Sequence, residues 1–169
     1  FILNYLKENR TSFKCKPEVI SGDEIQDCII LKFGNPKVAV FAHMDSIGFT
    51  VKYNKEIIKI GGPKVDDSYE LIGMDSKGYI EAGMLIIEDE NDNKRIEYVF
   101  DREIDRGTEL VFKPNWRETK DYVQCCYMDN RLGVWNALEL AKTLENGVIC
   151  FSCWEEVGGG SVGLSLIHI

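Results

Sequence analysis

Tyr122-Val123-Gln124-Cys125-Cys126-Tyr127 and Val148-Ile149-Cys150-Phe151-Ser152-Cys153-Trp154 bracket a helical stretch, and this arrangement decides the fold. Both are short apolar runs of the kind that fill strands buried on two faces. Between them, over 130–145, Leu132, Trp135, Leu138, Ala141 and Leu144 recur along one side of a helix, and Asn146-Gly147 supplies a stop. Strand, helix and strand with tight connections predict a βαβ unit and a partly parallel sheet. Upstream, Val38-Ala39-Val40-Phe41-Ala42 reads as a further strand buried on both faces. A strand-like run over 25–32 precedes it, across the turn residues Gly34-Asn35-Pro36. Ile2, Leu3 and Leu6 give residues 1–10 the spacing of a helix.

Residues 54–122 follow a different pattern. Alternating runs at 56–60, 79–87, 95–100 and 108–113 are separated by Gly, Asp and Asn clusters, with no helical period. This predicts a small antiparallel barrel or sandwich. The expected architecture is therefore α/β: a partly parallel sheet with flanking helices, interrupted by a small all-β, barrel-like insert. The expected domains are 1–53 with 123–163 for the α/β part and 54–122 for the insert. The chain opens Phe1-Ile2-Leu3 without a Met, as though inside an element. Residues 164–169, Leu-Ser-Leu-Ile-His-Ile, resemble a translated sequencing adaptor and are expected to be a non-native tail. His168 is for that reason not taken as a ligand.

Composition narrows the function classes. The 169 residues carry 20 Lys+Arg and 28 Asp+Glu, a net charge of −8, with 44% hydrophobic residues. That argues against wholesale disorder and speaks against a phosphate-tracking nucleic-acid binder. Six of the eight net negative charges fall in 54–122, where 11 Lys+Arg face 17 Asp+Glu, and a solvated acidic surface accounts for them. No apolar run approaches the ~20 residues that cross a bilayer. A chain of this size does not depend on disulfide staples, so the six cysteines are expected as reduced thiols in a cytoplasmic protein.

Three polar clusters follow the apolar strands: His43-Met44-Asp45, Met128-Asp129-Asn130-Arg131 and Glu155-Glu156. Each alone has a plain structural explanation, as a satisfied core histidine, a helix N-cap or surface charge. Together they place four carboxylates and an imidazole at the carboxyl ends of strands, where open α/β sheets keep their active sites. A neutral imidazole backed by a carboxylate suits a borderline transition metal, and His43 and Asp45 project the same way from an extended segment. Adjacent Glu155 and Glu156 can divide two tasks, one towards a water and one towards a metal. The chemistry that fits is hydrolysis by paired divalent ions. Cys150-Phe151-Ser152-Cys153 offers a redox reading, but positions three apart on a strand face opposite ways. Cys125 and Cys126 are expected on opposite sides of their strand.

In content and order the clusters resemble the tetrahedral aminopeptidase, glutamyl aminopeptidase or endoglucanase M family of dinuclear metallopeptidases. His43-Met44-Asp45-Ser46-Ile47-Gly48-Phe49 resembles its His-Met-Asp-x-Ile-Gly-Phe, Asp129-Asn130-Arg131-Leu132-Gly133 its Asp-Asp-Arg-Val-Gly, and Glu155-Glu156-Val157-Gly158 its Glu-Glu-Val-Gly. The resemblance implies metal-dependent removal of N-terminal residues from peptides, with two divalent ions (zinc, cobalt or manganese). It implies His43 and Glu156 as ligands to different metals, Asp129 as the bridging ligand, Glu155 as general base and Asp45 as the carboxylate behind His43. It also implies homo-oligomers built through the β-rich insert, and two further ligands downstream, so that this chain is expected to be an inactive part of the enzyme. Asn130 stands where the family often has a second Asp, and Gly159-Gly160 replaces a usual Leu-Arg. The alternatives left open are a carboxypeptidase-like dinuclear deacylase and a non-catalytic interaction module.

Overall fold

A computed structural model describes residues 1–88 and 93–159; the expected tail at 164–169 lies outside them. In chain order the elements are helix α1 (Ile2–Glu8) and strands β1 (Glu18–Ser21), β2 (Ile29–Phe33), β3 (Ala39–His43), β4 (Gly48–Val51), β5 (Glu56–Ile60), β6 (Glu70–Asp75), β7 (Gly78–Glu88), β8 (Lys94–Val99), β9 (Glu109–Phe112), β10 (Arg117–Glu118) and β11 (Val123–Gln124). Helix α2 (Met128–Ala141) and strand β12 (Gly147–Ser152) follow, and short 3-10 turns lie at Asp23–Ile25 and Glu155–Val157. The chain divides into two compact units: Phe1–Asp45 with the chain from Met128, and Ser46–Tyr127. The second unit starts eight residues before, and ends five after, the expected insert of 54–122. Among the described residues, no helix is long and apolar enough to cross a membrane.

The first unit is a four-stranded sheet in the order β1-β2-β12-β3. β12 runs parallel to β3, Val148 opposite Ala39 and Ser152 opposite His43. It runs antiparallel to β2. Helices α1 and α2 contribute Ile2, Leu6, Ala137, Leu138 and Ala141 to a core with Leu31, Phe33, Ile149 and Phe151. Burying such side chains contributes about 1.5–3 kcal/mol each, which is what holds the helices to the sheet. β12 is buried on both faces, but among the described residues the edge strand β3 is covered on one face only. Val38 is 56% and Phe41 39% exposed, so the expected burial of this strand on both faces is corrected to one.

Two further expectations change. Tyr122–Tyr127 is not a sheet strand leading into α2. Thr119 N–H donates to the Tyr122 carbonyl, the chain doubles back, and only Val123–Gln124 pairs, antiparallel with Arg117–Glu118. Tyr127 then takes a left-handed φ of 63°, which a strand cannot continue through. The parallel partner of β12 is β3, so the crossover between them contains the whole second unit. Helix α2 also ends earlier than Glu145: Thr143 N–H and Leu144 N–H both donate to the Leu140 carbonyl and close its last turn. Its buried face is Ala137, Leu138 and Ala141, whereas Leu132 and Trp135 are about half exposed. Asn146 serves the neighbouring turn instead, accepting from Asn35 N–H at 3.0 Å. At Gly34 (φ 47°) a Cβ would overlap the Glu145 carbonyl oxygen.

The second unit is a closed six-stranded barrel, β4-β5-β8-β7-β6-β9, with β9 returning to β4. Phe49, Ile57, Leu71, Ile80, Tyr98 and Leu110 are among the residues that fill it. Closure leaves no open sheet edge. Four strands match the alternating runs of the sequence; β4 and β6 were not expected. Leu71 is fully buried in the barrel, and Tyr69 packs edge-on against Phe112. Met74 and Trp116 remain exposed. Gly73 marks the tightest approach, since a Cβ there would sit 2.7 Å from the Glu109 carbonyl oxygen on β9. Arg102 clamps the β6–β7 turn with bonds of 2.6 and 2.9 Å to the two Asp75 oxygens.

Candidate metal centre

The parallel register of β3 and β12 brings His43 and Ser152 side by side at the carboxyl ends of their strands. Met44 N–H donates to the Ser152 carbonyl at 2.7 Å and extends that alignment by one residue. Beyond β12 the chain turns sharply. Trp154 is left-handed (φ 71°), Glu155–Val157 form one 3-10 turn, and Gly158 is left-handed again (φ 79°). Gly159 N–H donates back to the Trp154 carbonyl at 2.7 Å. The turn places both glutamates near the imidazole rather than along a strand.

On the other side, α2 starts irregularly. Asp129 (φ −82°, ψ 111°) and Asn130 (φ −119°, ψ 35°) are not helical, and the peptide joining them is cis. The Asn130 carboxamide lies on Gly133, where a Cβ would overlap it. The Asp129 side chain does more than cap a helix: 88% exposed, it reaches the imidazole of His43.

His43 is buried, at 8% exposure. Its Nδ1 lies 3.2 Å from the Asp45 carbonyl oxygen, which can only accept, so Nδ1 carries the hydrogen. Its Nε2 lies 2.9 Å from Asp129 Oδ1 and 3.8 Å from Glu155 Oε2. Donor atoms of His43, Glu155 and Glu156 all lie within 4.8 Å of one another. An imidazole already donating through Nδ1 presents a lone pair at Nε2, and a carboxylate facing it presents another. Only a positive charge reconciles them, either a proton or a metal cation. Burial pulls the imidazole pKa down. The Asp129 hydrogen bond, the Asp45 carbonyl and the charges of Glu155 and Asp45 together outweigh it, and the pKa ends above its ordinary value. Glu156 is pushed up by burial; the His43 charge opposes this, and Glu155, Asp129 and Asp45 add to it.

Asp45 ties the parts together. Its Oδ2 accepts the Glu156 backbone N–H at 3.0 Å, while its Oδ1 is buried without a hydrogen-bond partner among the described residues, 3.6 Å from His43 Nδ1. The backbone carbonyl of Asp45, rather than its carboxylate, makes the closer contact with the ring. All five residues singled out in the sequence therefore meet in one unit. The donor set, one imidazole and several carboxylates, suits a borderline divalent ion.

A cavity of about 750 Å³ opens beside His43, lined by Met44, Arg131, Val134, Trp135 and Leu138 among others. Sequence spacing puts Trp135 and Leu138 on one side of the helix and gives Arg131 no role. The spacing 131, 134, 135, 138 does mark one helix face, and it is this face that lines the cavity. Behind the centre, Cys28, Cys150 and Cys153 gather. Burial, with Cys28 and Cys153 nearby, pushes the Cys150 thiol up to about 12.

No curated protein matches the chain in sequence. Among solved structures it is similar to the PhTET1-12s dodecamer, with a TM-score of 0.68 and 19% identity, over 98% of this chain and 57% of that one. It is also similar to the TET1 peptidase of Pyrococcus horikoshii, which can assemble into a tetrahedron or a large octahedral shell. There the TM-score is 0.63 and the identity 21%, over 90% of this chain and 56% of that one. At such identities the likeness is one of fold, and the chain spans a little over half the length of each neighbour. The profile of one family matches residues 84–166. That family is the one the three motifs resemble, the M42 glutamyl aminopeptidases.

Proposed function

We propose that this chain carries part of the active centre of a metal-dependent aminopeptidase that removes N-terminal residues from peptides. In this reading His43 and Glu156 would hold different divalent ions, Asp129 would be shared between them, Glu155 would be the general base, and Asp45 would position both His43 and the Glu155–Glu156 turn. The ions would be zinc, cobalt or manganese; held there, they would polarise the scissile carbonyl and acidify the attacking water. Glu155 is half exposed, with a carboxylate oxygen near the imidazole. It is suited to take a proton from that water and return it to the leaving amine. Asp129 attracts cations into the space in front of Nε2, and the Asp45 carbonyl fixes the hydrogen on the opposite ring nitrogen. The observation that carries this reading is the facing pair of acceptors, His43 Nε2 and Asp129 Oδ1 at 2.9 Å, with Glu155 and Glu156 beside them.

His43, Asp129 and Glu156 are fewer ligands than two four- or five-coordinate ions require. The 169-residue chain is therefore expected to bind metal weakly and to lack turnover, with the remaining donors supplied by a longer protein. The Ser46–Tyr127 barrel is the proposed self-association surface, a reading supported by the assembled state of the TET1 neighbours. The free thiols of the chain suit a reducing compartment such as the cytoplasm.

Two variants of a full-length protein test the roles. Glu155→Gln should retain metal and lose about 10²–10⁴-fold in rate, because the amide cannot accept a proton. Asp129→Ala should empty both sites. Metal analysis showing the reverse, with Glu155→Gln losing its ions and Asp129→Ala keeping them, would overturn the assignment.

A further inference from the structure

Three of the six thiols meet where β2 and β12 part. The antiparallel ladder ends with Phe151 opposite Ile29. Continued along the same register, Ser152 would face Cys28 and Cys153 would face Asp27. There the ladder gives way: Cys153 N–H donates to Cys28 Sγ at 3.4 Å rather than to a carbonyl. Cys153 Sγ in turn lies 3.9 Å from the Asp27 carbonyl oxygen. Cys28 and Cys150 are 1% and 2% exposed, whereas Cys153 is partly exposed. A strand argument confined to Cys150 and Cys153 separates those two sulfurs and overlooks Cys28, which arrives from 125 residues earlier in the chain.

We propose that Cys28 and Cys153 are a disulfide-forming pair, a site of oxidation by low-molecular-weight disulfides. The two are not facing partners of the ladder; what joins them is the 3.4 Å contact, which puts Cys28 Sγ against the main chain of Cys153, three bonds from the sulfur it would meet at the ~2.0 Å of a disulfide. The exchange balances in two steps. The solvent-reachable Cys153 sulfur, having lost its proton, attacks the small disulfide, breaks its S–S bond and releases one small thiol. The Cys28 sulfur then loses its proton and attacks the Cys153 sulfur of the mixed disulfide, releasing the second. The two cysteines are oxidised to one disulfide, and the oxidant is reduced to two thiols. Cys28 is too enclosed to meet the oxidant first, which sets the order of the two steps. Burial raises the Cys153 thiol pKa, together with nearby Cys28, Asp45 and Asp27, which slows the first step without redirecting it.

The bond would tie Cys153, two residues before the Glu155–Val157 turn, to Cys28, the residue before β2, restricting the segment that carries Glu155 and Glu156. The disulfide itself does not depend on the metal-centre reading; only this consequence does. The test is incubation of the 169-residue chain with oxidised glutathione, alkylation of remaining thiols, and peptide mapping without reduction. The account expects two of the six thiols to disappear, the mass to fall by two hydrogens, and a cross-linked peptide joining residues 28 and 153. Cys150→Ser should form the same link, and Cys153→Ser should abolish it. A lasting glutathione adduct on Cys153, a link between Cys150 and Cys153, or six unreacted thiols in the folded chain while the urea-unfolded chain is oxidised would each overturn the proposal. On oxidation, amide exchange over 153–158 should slow; unchanged exchange with the link in place would remove the consequence for the glutamates and leave the disulfide standing.

Discussion

Replacing Asp45 by Ala separates what the Asp45 carboxylate does for the fold from what it does for a cation. In the structure Asp45 Oδ2 accepts the Glu156 N–H at 3.0 Å, and Oδ1 is buried with no partner among the described residues. Removing the acceptor leaves a part-buried N–H unpaired, a cost of about 1–3 kcal/mol. Two gains offset it: an unpartnered buried oxygen disappears, and so does a negative charge that pushes the Glu156 carboxyl up. The net loss in stability should therefore be about 1 kcal/mol, at the low end of that range. Metal affinity should suffer more, because groups behind a ligand commonly carry about 10–100-fold in binding. Asp45→Asn divides the two effects: its amide oxygen still accepts from Glu156, so stability should stay within about 1 kcal/mol, while affinity still falls with the charge. Urea unfolding followed by circular dichroism measures the first quantity and competition with a chromophoric zinc chelator the second. Asp45→Ala binding zinc within about twofold of the parent, against that 10–100-fold expectation, or Asp45→Asn being less stable than Asp45→Ala, would refute the reasoning.

Two further predictions concern the barrel. Gly73→Ala should destabilise it by about 1–3 kcal/mol, because the new methyl meets the Glu109 backbone at 2.7 Å, whereas Gly83→Ala meets nothing closer than 3.6 Å and should be nearly neutral; equal urea midpoints for the two would refute this. Asp75 is held well below the ordinary carboxylate range, first by hydrogen bonds from Arg102, against burial, and then by the Asp105 and Lys77 N–H groups. Its stabilisation is complete above the unfolded pKa of about 3.9 and is lost as pH falls from there towards the folded value. Wild type should accordingly lose more stability than Asp75→Asn between about pH 5 and pH 2, and parallel curves for the two proteins would contradict the clamp.

Local periodicity made the regular strands readable. β5, β7, β8 and β9 alternate apolar and polar side chains, and that alternation is a backbone period which sequence displays directly. β4 and β6 escaped because Gly48 and Gly73 interrupt the alternation at points where strands approach closely. Tyr122–Tyr127 misled for the opposite reason. Its apolar run was strand-like, but the left-handed Tyr127 and the Thr119–Tyr122 turn, which set its direction, leave little trace in composition. Helix α2 shows tertiary context overriding pattern: close packing of Ala137 and Ala141 chose the buried face and left Leu132 and Trp135 to the surface. Of the candidate site, His43, Asp45, Glu155 and Glu156 were legible because their motifs follow the ends of β3 and β12, whereas Asp129 sits at the irregular start of α2 with no such strand before it. The role of the Asp45 carbonyl at the ring and the arrival of Cys28 beside Cys153 are long-range or main-chain contacts that no local pattern encodes.

Anomalous diffraction at the cobalt edge, from crystals of this chain grown with excess Co²⁺, tests the central claim most directly. The account predicts a peak at about 2.0–2.2 Å from His43 Nε2 and from a carboxylate oxygen of Asp129 or Glu156, with the direct His43–Asp129 hydrogen bond broken. A map with no peak there at saturating cobalt, or with cobalt elsewhere while Nε2 keeps its 2.9 Å bond to Asp129 Oδ1, would contradict it.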